Sequence, residues 1–402
     1  MKKPDELIKK VGGVSSIIFI SSICFFFANI FLGRYLSKSD YGYFQFIRTV
    51  TFIIPSVVVL GMDISFIRFF SQSDISNYNW LRNIVISIRN TSIISLPIVI
   101  LVVVLYHITF FHGFLIYIIL ILYSFLILSN SILRLNSKYF TAQFLTSGWR
   151  IIFFLFIVLL FITNYLTKKY VVLFYFLSFL IFVLFGIKFL LSSPKGQERV
   201  SNTLLFKKGL LFFFITISGM IMTQLDRFFI SKILGFKALG IYVAVSVVII
   251  TVFNLMSTSI GFVLMPYLAK GKKIKKKLMY ILIPSVMLLL SIIFIFFTES
   301  MNHFFYKGRY DGHQNLIVLF VAIGVLQFFY NIMYFSLGGI GTKLDFTKFF
   351  FSIGLSIVVF VVLCVILLPK LNILGAAIAT AISWLIRDIG GIIILRKKRL
   401  HV

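Results

Sequence analysis

The sequence predicts an all-α polytopic membrane protein with about twelve transmembrane helices in two six-helix lobes. Of its 402 residues, 60% are hydrophobic and only 11 are acidic, whereas soluble domains are about 45–50% apolar. A hydrocarbon core of about 30 Å takes roughly 20 residues of helix, and twelve apolar stretches reach that length. These stretches also lack the alternation of polar and apolar residues that is typical of an outer-membrane β-barrel.

The predicted spans follow one another with short connections. The first span comes after a basic N-terminus and has about twenty apolar residues, more than the roughly 7–15 of a signal-peptide core, so we expect it to be retained. The spans are predicted at residues 11–32, 44–70, 84–107, 113–133, 143–163, 170–191, 209–230, 239–268, 278–298, 315–338, 345–368 and 374–395.

The connections are too short to hold a catalytic domain. In the longest outer connection, 299–314, His303, Asp311 and His313 could be metal ligands, but their spacing matches no helical HExxH pattern, so we interpret them as solvated loop residues. The glycine-rich “GGIGTK” at 338–343 lacks the GxxxxGK[ST] spacing of a phosphate-binding loop. The sequence therefore predicts no enzyme, no metal site and no cofactor.

Positive charge is distributed unevenly between the two sides of the predicted membrane protein. The formal net charge is +28, and 25 of the 39 Lys and Arg lie on the side that holds both termini. The other side carries 10, and the remaining four, Arg48, Arg68, Arg150 and Arg387, lie within spans. In these counts, residues near the end of a span, such as Arg89 and Arg227, belong to the adjoining side. Because cytoplasmic loops are enriched in Lys and Arg, both termini are predicted to be cytoplasmic. The basic runs “KGKKIKKK” and “RKKR” are interpreted as topology signals that contact anionic lipid headgroups, not as a nucleic-acid site.

The chain divides into two halves with similar patterning. We predict an N-terminal six-helix lobe at 1–191, a cytoplasmic linker at 192–208 and a C-terminal six-helix lobe at 209–402. A shift of 198 residues aligns “FLGRYLSKSDYGYF” at 31–44 with “FISKILGFKALGIY” at 229–242. An even number of spans in each half predicts parallel repeats, as in one class of secondary transporter.

Five segments, spread over most of the chain, together carry a resemblance to a known family. In chain order they are “LGRYLSKSDYGYFQF”, “LDRFFISKILGFKALGIYVAVSVVI”, “MPYLAKGK”, “SLGGIGTKLDF” and “LPKLNILGAAIATAISWLI”. They resemble the Wzx-type polysaccharide repeat-unit flippases (O-antigen, capsule or teichoic-type) of the multidrug/oligosaccharidyl-lipid/polysaccharide (MOP) exporter superfamily. The resemblance implies two six-helix bundles in a V around a central cavity.

The same resemblance implies a multi-pass transporter of the bacterial cytoplasmic (inner) membrane. Its expected activity is to flip an undecaprenyl-diphosphate-linked oligosaccharide repeat unit from the cytoplasmic to the outer leaflet by alternating access, for surface polysaccharide assembly. The expected partners are membrane lipids, a polysaccharide polymerase and a chain-length regulator. No cofactor is implied, and a proton or sodium gradient is a candidate driving force.

Charged side chains within the spans are candidate binding residues. An Arg or Asp at the centre of a membrane helix costs roughly 2.5–3.5 kcal/mol on insertion scales, so it usually faces a cavity or a partner. A continuous helix over 44–70 would put Arg48 and Asp63 on one face, about 22 Å apart. Arginine can offer paired donors to the phosphate oxygens of an anionic, diphosphate-linked glycan. The candidates for a cationic cavity are Arg48, Arg150, Arg227 and Arg387. Arg150 could equally extend to the lipid headgroups beside Trp149, and Asp226 and Arg227 could equally form structural ion pairs with another helix.

Acidic and amide side chains near the spans are candidates for two other roles. A desolvated carboxylate can take up a proton near neutral pH, so each acid is a candidate for ion coupling. The amides could bind sugar hydroxyls or could equally join two helices. The coupling candidates are Asp63, Asp226 and Asp388, and the polar candidates are Asn29, Gln45, Gln224, Asn254, Gln327 and Asn331.

The sequence is also compatible with other functions. A multidrug exporter of the same superfamily moves cations and would favour an acidic cavity, whereas the arginines within spans favour an anionic cargo. An exporter of a lipid-linked peptidoglycan precursor would use the same binding chemistry. A polysaccharide polymerase or ligase would be expected to have one large external loop, and no connection is that long.

Overall fold

All the regular secondary structure in the described part of the chain is α-helix. The computed structural model describes residues 4–70, 79–191, 205, 213, 223–269 and 283–397. The chain divides into two compact units, unit 1 at Met1–Ile221 and unit 2 at Met222–Val402. The predicted all-α class is confirmed for these residues, and the predicted linker at 192–208 lies outside them except for Leu205.

Unit 1 has eight helices with described bounds. They are α1 (Pro4–Tyr35), α2 (Lys38–Val58), α3 (Met62–Phe70), α4 (Trp80–Tyr106), α5 (Phe110–Leu135), α6 (Tyr139–Ser147), α7 (Trp149–Ile162) and α8 (Lys168–Leu191). Most neighbours in the chain are joined by only a few residues, so helices such as α4 and α5 fold back and pack against each other.

Unit 2 has six helices with described bounds. They are α9 (Leu225–Ile233), α10 (Gly235–Ala269), α11 (Ile283–Tyr306), α12 (Gln314–Ile340), α13 (Lys343–Leu371) and α14 (Ile373–Lys397). The most extensive contacts in unit 2 join α10 to α12 and α13 to α14, and α12 also packs against α14.

Ten helical segments of the described residues are long and apolar enough to cross a membrane. They support the prediction of a multi-pass membrane protein. The short helices α3 and α9 are not among the ten, and neither is α2, which carries several polar residues. Of the seventh predicted span, 209–230, most residues before Thr223 lie outside the described part.

The second predicted span is not one continuous helix. Between α2 and α3, Leu60 and Gly61 have φ angles of 55° and 72°. A left-handed backbone ends an α-helix because the following amides leave the i to i−4 register. The expectation of one helix over 44–70, with Arg48 and Asp63 on a common face, is therefore wrong.

The fifth predicted span is divided into α6 and α7. Gly148 is the residue between them, and its N–H donates to the carbonyl of Phe144. A Cβ added at Gly148 would lie 2.6 Å from that carbonyl oxygen and 2.6 Å from the ring of Phe182 on α8. Real contacts of a Cβ are not that short, so the close approach of α8 requires glycine here.

Five buried aromatic residues join α2, α7 and α8 in the core of unit 1. The rings of Trp149 and Phe179 stack at 4.4 Å, and those of Phe44 and Phe153 stack at 5.5 Å. Tyr175 meets all four rings edge-on, at 5.2–5.5 Å. Each such pair contributes about 0.5–1.5 kcal/mol beyond the area it buries. This cluster fixes the helices that carry Arg48 and Arg150, the two candidate binding arginines of unit 1.

Candidate functional site

Two of the predicted arginines contact the same aromatic ring in unit 1. The guanidinium carbon of Arg48, on α2, lies 5.2 Å from the ring centroid of Phe25, on α1, and that of Arg150, on α7, lies 5.8 Å from it. Both distances are within the range of a cation–π interaction, and the two guanidinium carbons are at most about 11 Å apart. Three helices thus bring two positive charges to one place.

The predicted amides of unit 1 hold Arg48 in position. The Oδ1 of Asn29 accepts hydrogen bonds from Arg48 Nη1 at 2.9 Å and from Gln45 Nε2 at 2.7 Å. The Nδ2 of Asn29 donates to the carbonyl of Phe25 at 2.6 Å, which fixes the orientation of the amide. Phe25, Asn29, Gln45, Arg48 and Arg150 together are called the arginine site below.

Arg150 differs from Arg48 in the support that it receives. Its guanidinium packs on the Trp149 ring, 5.6 Å from the centroid, in addition to Phe25. Its Nε is shielded from solvent and has no hydrogen-bond partner among the described residues, where no carboxylate lies within ion-pair distance of it either. A half-buried guanidinium of this kind keeps donors for a ligand.

Four contributors to this region were not predicted from the sequence. Phe25 and Trp149 carry the cation–π contacts, and the hydroxyl of Tyr175 lies 3.1 Å from that of Thr51, which also donates to the carbonyl of Arg48. A signal existed for Phe25 because it precedes Asn29 by four residues, which places both on one helical face. Among 50 phenylalanines that spacing does not single it out.

Asp63, the coupling candidate of unit 1, lies on a different helix from either arginine. It is half-buried in the first turn of α3, beyond the break at Leu60 and Gly61. That break separates it from α2, the helix that carries Arg48. Its role in coupling stays a prediction.

In unit 2, Asp226 forms a buried hydrogen-bonded pair with a tyrosine. Tyr242 on α10 donates to Asp226 Oδ2 at 2.6 Å, and the backbone N–H of Arg227 donates to Oδ1 at 2.9 Å. Asp226 is buried whereas the side chain of Arg227 is half-buried, so the neighbouring acid and base have different surroundings. The acid in this apolar run therefore has its partner on the next helix.

Arg387 is completely buried within unit 2. Its Nε donates to Ser356 Oγ on α13 at 2.8 Å, and its guanidinium carbon lies 4.9 Å from the Trp384 ring and 5.4 Å from the Tyr330 ring. The adjacent Asp388 is 5% exposed. These contacts join α12, α13 and α14, and the predicted binding role of Arg387 stays a prediction.

The remaining polar candidates lie in or beside helices of unit 2. Asn331 Nδ2 on α12 donates to Ser257 Oγ on α10 at 2.8 Å, and Ser257 donates to the backbone carbonyl of Asn254. Gln327 is buried one turn before Asn331, and Gln224 is half-buried at the start of α9. The Asn331 contact joins two helices, which was one of the two predicted roles.

An exposed histidine–aspartate pair joins the last turn of α11 to the connection that follows it. His303 Nδ1 and Asp311 Oδ2 are 2.7 Å apart, and His313 lies at the start of α12. Burial raises the pKa of Tyr310 in the same connection to about 12, so its hydroxyl stays neutral. Within the described ranges, no three His, Cys, Asp or Glu residues form a group that could hold a metal ion.

The fold of this chain is similar to those of solved membrane transporters. In three such comparisons the similarity extends over 95% or more of the chain. No protein-family model matches the sequence, and no curated protein matches it either. The fold and the ten long apolar helical segments together indicate a multi-pass membrane protein.

Three solved structures illustrate the similarity. The lipid II flippase MurJ in an inward closed conformation is 19% identical, with a TM-score of 0.67, covering 95% of this chain and 87% of MurJ. An inward-facing multidrug resistance MATE family transporter is 14% identical, with a TM-score of 0.68 and 98% of both chains covered. A MOP transporter from Pyrococcus furiosus is 14% identical, with a TM-score of 0.58 and 97% and 93% covered. At these identities the similarity shows the fold alone.

Proposed function

We propose that this protein flips a polyprenyl-diphosphate-linked oligosaccharide from the cytoplasmic to the outer leaflet of the bacterial inner membrane. The observation that carries the proposal is the arginine site, in which Arg48 and Arg150 meet on the ring of Phe25. A diphosphate is a multiply charged anion, and two guanidinium groups held about 11 Å apart or less can each donate to one of its phosphate groups.

The electrostatics of the site favour an anionic headgroup over a neutral one. Arg150 has neither an ion-pair nor a hydrogen-bond partner within the described ranges, so its charge is not compensated there. Such a cation at membrane depth is costly unless a counter-charge arrives. A bound diphosphate supplies that counter-charge, and the apolar surroundings strengthen each hydrogen bond to it.

Similarity to solved transporters supports a lipid-linked cargo. MurJ is a lipid II flippase, and its structure covers 95% of this chain. The Pyrococcus furiosus transporter is described as having a binding pocket of reversed polarity that suggests a different function. Pocket charge thus varies within this fold, and in this chain it is the cationic arrangement that favours a diphosphate-linked substrate.

Two related functions are the alternatives. A multidrug exporter would share the fold of the MATE transporter, but an organic cation would be repelled by Arg48 and Arg150. A peptidoglycan-precursor flippase would bind the same diphosphate. Only the identity of the accumulated lipid-linked intermediate distinguishes it from a polysaccharide repeat-unit flippase.

Several wider features that the family resemblance implies belong to the same proposal. These are twelve membrane helices, both termini in the cytoplasm, alternating access, and a role beside a polysaccharide polymerase and a chain-length regulator. A proton or sodium gradient would drive the cycle.

The first experiment is deletion of the gene in its host, with analysis of surface glycan and polyprenyl-linked intermediates. We expect surface glycan to be lost while lipid-linked repeat units accumulate on the cytoplasmic side. Complementation with the wild type should restore the glycan, and Arg48→Ala and Arg150→Ala should not. Unchanged glycan together with altered resistance to cationic drugs would favour the exporter alternative.

A matched arginine variant controls for loss of charge in general. Arg89 lies on α4 and is exposed. Arg89→Ala should restore surface glycan to the level of the wild type at equal amounts of membrane protein. If Arg48→Ala and Arg150→Ala also restore it, the arginine site does not bind the substrate.

A further inference from the structure

Asp388 is a buried carboxyl group without a partner in the described part of the chain. Its side chain is 5% exposed, and its Oδ1 is shielded from solvent and accepts no hydrogen bond there. The neighbouring Arg387 does not compensate it at ion-pair distance, because its guanidinium is held by Ser356, Trp384 and Tyr330.

The helices packed against α14 bring little charge to Asp388. On α12, the ionisable group that interacts electrostatically with Asp388 is Tyr330. On α13, the side chain at this level is that of Ser352, whose hydroxyl donates to the carbonyl of Ile386, and Lys348 one turn away is exposed. Apart from Arg387 on its own helix, no full charge from the described residues of these two helices is shown to act on Asp388.

The other two helices that contact α14 carry an acid that is already partnered. Asp226 on α9 and Tyr242 on α10 are hydrogen-bonded to each other, and Asp226 also accepts the N–H of Arg227. The two buried acids of unit 2 therefore differ: Asp226 has donors that can stabilise an ionised carboxylate, whereas Asp388 Oδ1 has none in the described residues.

An ionised carboxylate is expensive to bury unless it is paired or hydrogen-bonded. We propose that Asp388 is a proton-binding site of unit 2, neutral in the conformation described here. Binding forms one O–H bond on the carboxyl group. Release breaks that bond, transfers the proton to water and leaves a negative charge beside Arg387.

This proposal deepens the proposed function by assigning the coupling proton to one residue. The claim that proton binding at Asp388 is coupled to transport rests on the proposed flippase function. A transport cycle uses such a site when one conformation keeps the carboxyl group dry and another opens it to water, because the proton then moves with the conformational change.

Whether Asp388 carries a proton can be measured in the absence of any transport substrate. The probe is the full-length protein in phosphatidylglycerol–phosphatidylethanolamine vesicles, titrated with acid and base while the carbonyl-stretch absorption of protonated carboxylic acids is recorded by infrared spectroscopy. We expect a protonated band at neutral pH that is absent from Asp388→Asn and shifted in Asp388→Glu. Asp226→Asn is the matched control, and the band should persist in it. A band that persists in Asp388→Asn and disappears in Asp226→Asn would overturn the proposal.

The coupling is tested in the gene-deletion host. Asp388→Asn is permanently neutral and cannot release a proton, so we expect it to lower surface glycan at least about tenfold at normal protein levels, with partial recovery in Asp388→Glu. Full glycan with Asp388→Asn would overturn coupling through this residue even if the infrared band is absent. If deletion of the gene leaves surface glycan unchanged, the proposed function fails while the infrared result on Asp388 stands.

Discussion

At Phe25, a single aromatic side chain contacts two cations that come from different helices. Arg48 and Arg150 would repel each other if they approached without it, and the negative face of the ring offsets part of that repulsion. Asn29 adds a hydrogen bond to Arg48, so the two cations are held by different means. A substrate that binds both would find them already positioned, which lowers the entropic cost of binding.

Removal of this ring is predicted to weaken substrate binding without removing either charge. A cation–π contact contributes about 0.5–2 kcal/mol, and about 1.4 kcal/mol corresponds to a tenfold change. Phe25→Leu should therefore lower glycan export by about 2- to 30-fold for each arginine that the ring no longer holds. The measurement is surface glycan in the complemented deletion host. Phe25→Tyr keeps the ring and serves as the control, and equal export by the Leu and Tyr variants would contradict the role of the ring.

The hydrogen bond from Tyr242 to Asp226 is predicted to stabilise unit 2. Tyr242→Phe leaves a buried carboxylate without its side-chain donor, which costs about 1–3 kcal/mol. We expect a lower thermal unfolding temperature for the purified protein in detergent. Tyr334→Phe removes a hydroxyl from a residue that is 38% exposed and should leave the unfolding temperature unchanged. A similar shift in both variants would show that the hydrogen bond is not responsible.

The sequence predicted some residues of the arginine site but not others, and the difference has a physical reason. An arginine in an apolar run is conspicuous, so Arg48 and Arg150 could be selected as candidates. Their common contact on Phe25 depends on how α1, α2 and α7 pack, and that packing is not encoded in local spacing. The same holds for Arg387, whose burial against two aromatic rings follows from the packing of three helices.

At the scale of helices, one helix end in unit 1 has a counterpart in unit 2 at the 198-residue shift that aligns the two halves of the sequence. In unit 1, α1 ends at Tyr35 and α2 begins at Lys38, and in unit 2, α9 ends at Ile233 and α10 begins at Gly235. The two ends are separated by the same 198 residues that align the repeated segments. The breaks at Leu60–Gly61 and Gly148 were not predicted, because neither hydropathy nor composition reveals a change in φ or a close helix contact.

The junction of α6 and α7 is predicted to tolerate no side chain. Gly148→Ala would place a Cβ 2.6 Å from the Phe182 ring and from the Phe144 carbonyl oxygen. Overpacking of this kind costs about 1–3 kcal/mol, so the thermal unfolding temperature should fall. In Gly354→Ala the new Cβ meets nothing within 4 Å, and the substitution should be neutral or stabilising by up to about 1 kcal/mol. A stable Gly148→Ala variant would mean that α8 can move away at little cost.

At the scale of the whole molecule, composition alone determines the class. With 60% hydrophobic residues and short connections, the chain can bury its apolar surface only in lipid or in other helices. The exposed faces of the described helices are accordingly rich in large apolar side chains, such as Phe110, Phe296 and Phe351. Substrate identity is set by a few side chains rather than by composition, so a proposal for it required the arginine site.

The orientation in the membrane is the last prediction, and it rests on the distribution of charge. The side with both termini carries 25 of the 39 Lys and Arg, and positively charged loops are retained in the cytoplasm. In a variant whose native cysteines, Cys24 and Cys364, are replaced by alanine, Tyr165→Cys should react with a membrane-impermeant thiol reagent added to intact cells. Leu344→Cys should react only after the membrane is opened. Both positions are exposed in the fold, at 60% and 61%, so access depends on the side of the membrane and not on burial. Reaction of Leu344→Cys in intact cells, with protection of Tyr165→Cys, would reverse the orientation and place the basic loops outside.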